Sequence, residues 1–556
     1  MQQEITIKKK RWTREEIATR LDEYEQGYRR TPSQRQLAKE LEVPRSTLQH
    51  WLKRKNRIDD DPDVAAFLES PAGIAFLHRL VLAAQFVITM VGTGGIRVVC
   101  LFLELSGLDQ FVAASYGAQQ QVTVAMEEAV VEFGQEERER LGKDMKPKQI
   151  TICEDETFHP AICLVAIEAV SNFILLEEYA ENRRAKAWTG AMGEATEGLC
   201  IEIIQSTSDE GKGLLRHVET DLGVHHSPDV FHVQHELVKG VSGALASKAR
   251  KAKQAACEAK EKVNKLQETL KERIEESPKR LAEVQQQEQA AQQSLEVALA
   301  RQERARQAIQ GVSVAYHPYN LETGTERDAE EVSNSLEKHF AEIETVAEEA
   351  QLSEHAFKRI TKAKKVVGAM VATIAFFWLT VRAKVEALGL APQAERAIYD
   401  YLIPGIYLHL VSGKVEDAEQ RHALQSKSQE LLAPLRARDG PLSGLKAEEM
   451  ATVEAVALEC AQLFQRSSSC VEGRNGQLAL HHHRLHRISG RKLTALTTVH
   501  NYFVRRENGT TAAERFFGAQ PRDLFEWVLD RVDLPGRPAE KRAQSQQGGY
   551  LLTGTT

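Results

Sequence analysis

The sequence predicts a chain of mixed class: helical at both ends, with an α/β sheet between them that a large all-helical insertion interrupts. Three observations predict it. Two short helices joined by a tight turn sit within residues 31–55. Five short runs between Gln149 and Val233 have the length and punctuation of strands, with acids at their ends. From about residue 236 to residue 465 the pattern is helical throughout. The expected segments are a helix-turn-helix at 1–58, a helical linker subdomain at 66–145, the first part of a sheet-bearing core at 146–235, a coiled-coil hairpin at 236–312, a helical insertion at 313–465, the second part of the core at 466–535 and a disordered tail at 536–556.

At 556 residues the chain is long enough for several domains and at least one large core. The net charge of −7 excludes a uniformly basic coat, yet it averages over unlike segments. Residues 1–57 carry 15 Lys and Arg against 8 Asp and Glu, so an excess of positive charge sits at the N-terminus. The seven cysteines show no CxxC pairing, and three of them (Cys153, Cys163, Cys200) fall inside expected strands, as buried thiols of a cytosolic protein do. The N-terminus lacks the apolar core of a signal peptide. Leu80–Leu105 is broken by Gly92-Thr-Gly-Gly95 and Arg97, and Val366–Val381 is shorter than the roughly 20 residues a spanning helix needs. Both read as core helices. No membrane partner is expected, and the chain is placed in the cytoplasm.

Within 31–55, Ser33–Leu41 forms the first helix, with Leu37, Ala38 and Leu41 at helical spacing. Glu42-Val-Pro44 makes the turn. In the second helix Leu48, Trp51 and Leu52 share one face, which leaves Arg45, Ser46, Thr47, Gln49 and His50 free. A polar N-terminal end of this kind reads base edges in the major groove, and Lys53, Arg54 and Lys55 then lie against phosphates. The expected partner is double-stranded DNA. A second, weaker helix-turn-helix pattern runs over Gly95–Gln119, as Ile96–Leu105, a turn, and Leu108–Tyr116.

The sheet stretch opens with Gln149-Ile-Thr-Ile-Cys-Glu-Asp-Glu156, continues with Ala161–Ile167 and Asn172–Tyr179, passes through a helix near Glu181–Met192, and resumes with Leu199–Gln205 and a short fifth strand at Asp229–Val233. The helical block that follows has Val263, Leu266, Leu270 and Ile274 at near-heptad spacing, a break at Ser277-Pro278, and a second helix to Gln310, with a loop at Gly311–Asn320. Two antiparallel helices of about 50 Å make a hairpin.

Asp155 ends the first strand and Asp209 follows the fourth. If those strands are neighbours, the two carboxylates meet around metal, and two Mg²⁺ ions (or Mn²⁺ in their place) with oxygen ligands serve phosphodiester cleavage. A third carboxylate has to come from a later helix. Glu472 is the best placed, since its helix follows a Ser cap and carries Asn475 one turn on. His481-His-His483 point in different directions on a helix and make a poor single-metal set.

With those residues laid out, the chain resembles DDE/D transposases of bacterial insertion sequences, in particular the Mutator-like and hAT-like arrangement with an interrupted ribonuclease-H-like fold. Ser208-Asp-Glu-Gly-Lys-Gly-Leu214 is similar to the turn that bears the second catalytic Asp. Asp229-Val-Phe-His232 resembles the Cys/Asp-x-x-His signature downstream of it, and Ser469-Cys-Val-Glu-Gly-Arg-Asn475 the segment with the final Glu. Leu496–Phe517 is similar to the tail of such enzymes. The resemblance implies strand cleavage and transfer at transposon ends, with Asp155, Asp209 and Glu472 as metal ligands and a multimer that pairs two ends. Asp229 is the alternative middle carboxylate; otherwise Asp229 and His232 support the site. The competing expectation is a catalytically inactive, transposase-derived DNA-binding protein or regulator.

Overall fold

The computed structural model describes residues 14–28, 33–55, 62–158, 161–272, 278–485 and 488–533, with Trp12 and Arg30. It is a mixed α and β protein with one five-stranded sheet among the described residues. Contacts divide the chain into two units, one of residues 1–145 and 476–556, the other Lys146–Asn475. The division falls inside a helix, so residues beyond Asn475 group by contacts with the N-terminal segment. The expected tail at 536–556, like Ser277 and Ile274, lies outside the described residues.

In the first unit, helices α1 (Arg14–Tyr28), α2 (Gln34–Glu40) and α3 (Arg45–Lys55) enclose a small core of Ile17, Leu21, Leu37, Ala38, Leu41, Val43, Leu48 and Trp51. Ser33 caps α2 by accepting from the Gln36 amide at 3.4 Å. The chain turns between α2 and α3 with Glu42 in the left-handed region (φ 55°). There follow α4 (Pro62–Glu69), α5 (Pro71–Phe86), a π-helical turn at Val87–Val91, α6 (Ile96–Leu105) and α7 (Tyr116–Lys143). The second helix-turn-helix pattern does not form: past α6 there is only a 3₁₀ turn at Leu108–Gln110, and the next helix starts at Tyr116 behind its Ser115 cap. Leu108, Phe111 and Val112 are spent on the core of this subdomain instead.

The sheet of the second unit is built from β1 (Lys148–Phe158), β2 (Ile162–Glu168), β3 (Phe173–Ala180), β4 (Ile201–Ser208) and β5 (His225–Pro228) in the order β3-β2-β1-β4-β5. β1 and β2 pair antiparallel, as do β2 and β3, whereas β4 and then β5 lie parallel to β1. Helices α8 (Ala185–Thr196) and α9 (Lys212–Arg216) connect the parallel part. The fifth strand is displaced from its expected place. Asp229 is the N-cap of α10 (Val230–Leu237), its Oδ1 accepting from the Phe231 amide at 2.7 Å, and the strand is the preceding His225–Pro228. Val230, Val233 and Leu237 are buried at helical spacing, and that period outweighs the β-branched composition.

Helix α10 runs through a π-helical turn at Val238–Ser242 into α11 (Gly243–Glu272), which packs along α12 (Pro278–Ala315). The loop expected from Gly311 begins later, because Val312 and Ala315 are still core residues of α12 and the His339 ring fills the space above Gly311. Helices α13 (Ala329–Glu349), α14 (Glu354–Lys364), α15 (Val367–Glu386), α16 (Pro392–Ala397), α17 (Ile403–Ser412), α18 (Ala418–Arg436) and α19 (Ala447–Leu463) complete the insertion. Pro71–Val91 and Glu354–Glu386 are long and apolar enough to cross a membrane by composition. Within the latter, α15 buries Met370, Ile374, Phe377, Trp378, Val381 and Val385 in the helical core, and the Trp378 indole donates to the Arg327 carbonyl at 2.9 Å. Helix α20 (Ser469–Leu485) then starts against the sheet, and α21 (Gly490–Tyr502), α22 (Ala512–Phe517) and α23 (Leu524–Arg531) end the described chain.

Candidate metal centre

β1 sits at the middle of the sheet with neighbours on both sides, so its three consecutive acids must be divided between two covered faces. Glu154 and Glu156 point to the face carrying α8 and α9. Glu154 Oε2 accepts from Ser206 Oγ at 2.5 Å, with His217 Nε2 at 3.4 Å from its other oxygen, and Glu156 accepts from the Trp188 indole at 3.4 Å. Asp155 points to the other face, where Cys153 two residues earlier reaches the carbonyl of Ser467 at 3.7 Å. Strand alternation thus singles out Asp155 from its neighbours.

One oxygen of Asp155, one of Glu472 and one ring nitrogen of His232 all lie within 4.8 Å of one another. Three remote stretches supply them: the central strand, the first turn of α10 and the first turn of α20. Asp229 ties the last two together. Its Oδ2 accepts from the Ser468 amide at 3.2 Å and from Ser468 Oγ at 2.5 Å, while Oδ1 caps α10. The amide of Glu472 in turn donates to the Ser468 carbonyl at 3.1 Å. Asp229 is 2% exposed and its two oxygens are committed to these donors, so it positions the centre, and the closest approach of His232 Nε2 to it is 3.9 Å.

Asp209 stands outside the converging group. Directly after β4, it accepts from the Gly211 amide at 2.9 Å and lines a cavity of about 310 Å³ with Arg183, Asp229, His232, Glu236 and Lys362. Its charge still reaches Asp155. Burial pushes the Asp155 carboxyl up to about 7, with Asp209 and Glu472 adding to the rise, against the opposing Glu156 amide and His232. Burial likewise raises Glu156 and Glu210, each with Asp209 contributing.

These residues fit a divalent cation. The two carboxylates are hard donors that suit Mg²⁺ and Mn²⁺, and the imidazole is a borderline donor that suits a transition-metal ion such as Mn²⁺ better than Mg²⁺. His232 Nε2 and, one turn beyond Glu472, Asn475 Oδ1 are buried without a hydrogen-bond partner, and a buried polar atom left so wants an explanation. Crowded, desolvated acids carry the same implication.

Several residues of the centre's support were not read from the sequence. Arg474 donates through Nε and Nη2 to both oxygens of Glu177 on β3, at 2.7 and 2.5 Å, and both side chains are buried. The signal was an acid pair inside the apolar run of β3, which an all-apolar strand has no use for. In the sequence Ser468 is one of three consecutive serines leading into α20, with nothing that points to Asp229. Of the residues expected to meet DNA, Arg45, Ser46 and Gln49 are exposed and Thr47 is half-buried; Gln49 also donates to the Gln34 amide oxygen at 3.1 Å. The side chains of His50, Lys53, Arg54 and Lys55 lie outside the described part of the structure.

Residues 398–544 match the model of a family of unknown function (DUF6399). The matched segment contains Glu472. Comparison with curated proteins gives no match, nor does comparison with solved structures.

Proposed function

We propose that the chain is a metal-dependent DNA strand transferase of the DDE transposase type, with a ribonuclease-H-like sheet and an N-terminal helix-turn-helix that recognises the ends of its element. The observation that carries this reading is the convergence of Asp155 and Glu472 with His232 within 4.8 Å, although Glu472 follows Asp155 only after the whole helical insertion. The strand order β3-β2-β1-β4-β5, with three antiparallel strands followed by two parallel ones, supports it, as does a carboxylate on β1, another directly after β4 and a third on a late helix. The exposed Arg45, Ser46 and Gln49 at the start of α3 support the DNA-reading part.

Asp155, Glu472 and His232 would hold one cation, and Asp209 beside Asp155 a second. When bound, Mg²⁺ or Mn²⁺ activates the attacking water or 3′-hydroxyl and neutralises charge on the leaving oxygen. The chain's own contribution is orientation. Asp229 fixes Ser468 and hence the first turn of α20; Arg474 fixes the same helix to β3 through Glu177. Arg183 and Lys362 border the adjoining cavity, each paired with an acid, Glu156 at 3.5 Å and Glu236 at 2.8 Å.

The test uses the full chain with duplexes carrying the inverted repeats that flank its gene. Strand nicking should require Mg²⁺ or Mn²⁺ and fall more than about 100-fold in Asp155→Ala and Glu472→Ala, beyond the loss usual for supporting residues. Cleavage that persists in both variants, or that needs no metal, would overturn the reading. Equal losses in Asp209→Ala assign it to the chemistry; a loss only in Asp229→Ala would make that residue the middle carboxylate.

A further inference from the structure

The helix that carries His232 continues without a break into the coiled-coil hairpin, and its π-helical turn sets the phase of everything beyond. A π turn takes up one extra residue. Nineteen positions separate His232 from Lys251; with one absorbed by the π turn, the remaining eighteen make about five turns of 3.6 residues, so the two side chains share a face. The same count brings Lys248, Lys262 and Lys265 to within about 60° of that face. The buried side verifies it: Val233, Leu237, Leu245, Ala249, Ala256 and Val263 fall on one common stripe only when one residue is removed at the π turn. Lys248, Lys251, Lys262 and Lys265 are all exposed, and among the described residues none of them forms an ion pair. Glu258 is the single acid in the row. Between Gly243 and Cys257 the helix carries four basic residues and no acid.

We propose that this lysine row is a track for the phosphate backbone of duplex DNA leading away from the metal centre. The inference rests on the reading of nucleic acid as the substrate. At 1.5 Å per residue, Lys248 lies roughly 24 Å and Lys265 roughly 50 Å along the helix from His232, spans of about 7 and about 15 base pairs at 3.4 Å each. Lysines at such intervals neutralise phosphates without reading bases, so the track binds whatever sequence adjoins the cleaved position. The π turn is what aligns track and centre: without it the lysines would be rotated by about 100° away from the His232 face.

The test measures binding without chemistry. A fluorescent 30-base-pair duplex is titrated with the full chain in EDTA at several salt concentrations, using wild type, the quadruple variant K248A/K251A/K262A/K265A, and R250A/K253A/K260A, which removes three charges from the opposite flank of the same helix. The quadruple variant should bind at least about 10-fold more weakly in moderate salt and show a salt slope smaller by about 3.6, since each phosphate contact contributes about 0.9. The triple variant should stay close to wild type. Equal losses in both variants would reduce the effect to diffuse charge and overturn the track, as would an unchanged quadruple variant with intact helical circular dichroism, or a quadruple variant that loses binding to phosphatidylserine vesicles while keeping the duplex. If wild type binds through the row yet never cleaves, the strand-transferase reading fails and the track stands; if it cleaves and the quadruple variant binds unchanged, only the track fails.

Discussion

Asp155 concentrates the site's electrostatics. Its carboxyl titrates at about 7, held up by burial and by Asp209 and Glu472. An unfolded Asp titrates near 3.9, so the folded value is raised. That contribution favours the folded state fully below about pH 4 and is lost as pH rises through 7. The metal-free chain should therefore lose stability across that window, and a cation, which binds the ionised form, should restore it. Thermal unfolding with and without Mg²⁺ should show a larger stabilisation at pH 8 than at pH 5.5. Equal shifts at the two pH values would mean that Asp155 does not meet the ion. In Asp155→Asn the metal-free profile should flatten over the same range. Asp229 makes a different prediction, since its oxygens serve amide and hydroxyl donors. Asp229→Ala leaves the buried Ser468 amide unpaired and should cost about 1–3 kcal/mol. Ser468→Ala should overlap with that loss, so a double-mutant cycle in urea would give a coupling well above zero. Additive losses would remove the positioning role. At this scale the sequence was partly legible. Strand parity separates Asp155 from Glu154 and Glu156 as soon as β1 is recognised, but parity alone does not say which face holds the site. His232 reads as an accessory because nothing in the sequence reveals that its helix starts two residues earlier, behind the Asp229 cap.

The elements show where sequence periodicity misleads. Asp229–Val233 reads as a strand because two valines and a phenylalanine stand close together; in the structure Asp229 caps a helix whose buried residues are Val230, Val233 and Leu237. The true strand, His225–Pro228, has no apolar alternation, being an outer strand of four residues that contacts β4 and is flanked by Thr373 of α15. Helix α20 is held by a buried ion pair instead of by apolar area alone. Arg474→Met should cost about 3–5 kcal/mol by removing the guanidinium from the buried Glu177 carboxylate, whereas Arg474→Met with Glu177→Leu should recover much of that. If the double variant were as unstable as the single one, the pair would contribute more than mutual compensation. In the N-terminal domain, Trp51 is buried and meets Trp12 edge to face at 5.5 Å. Trp51→Ala should lose about 3–5 kcal/mol and, with it, affinity for the element's ends, read by electrophoretic shift. Unchanged binding would place end recognition elsewhere.

At the scale of the molecule, the insertion explains why local reading stops short. From α10 to α19 it builds its own core around Phe340, Ile374, Phe377 and Tyr316, yet it begins directly behind His232 and ends directly before Ser468. Its helical content was legible from apolar spacing and from the Ser277-Pro278 break. What periodicity does not encode is that entry and exit are pinned to each other by Asp229 and Ser468, across most of the unit's length. The division of α20 between two units was equally hidden, because its pattern runs on unchanged through Asn475 and Gly476. The central claim is that β1, the start of the insertion and the helix after it deliver Asp155, His232 and Glu472 to one cation. Pulsed electron paramagnetic resonance of Mn²⁺ added to the full chain tests it most directly. The account predicts a bound ion with ¹⁴N coupling from one imidazole that disappears in His232→Gln, and loss of the bound ion in Asp155→Ala and in Glu472→Ala. A bound ion that persists in both carboxylate variants, or a nitrogen coupling unaffected by His232→Gln, would contradict it.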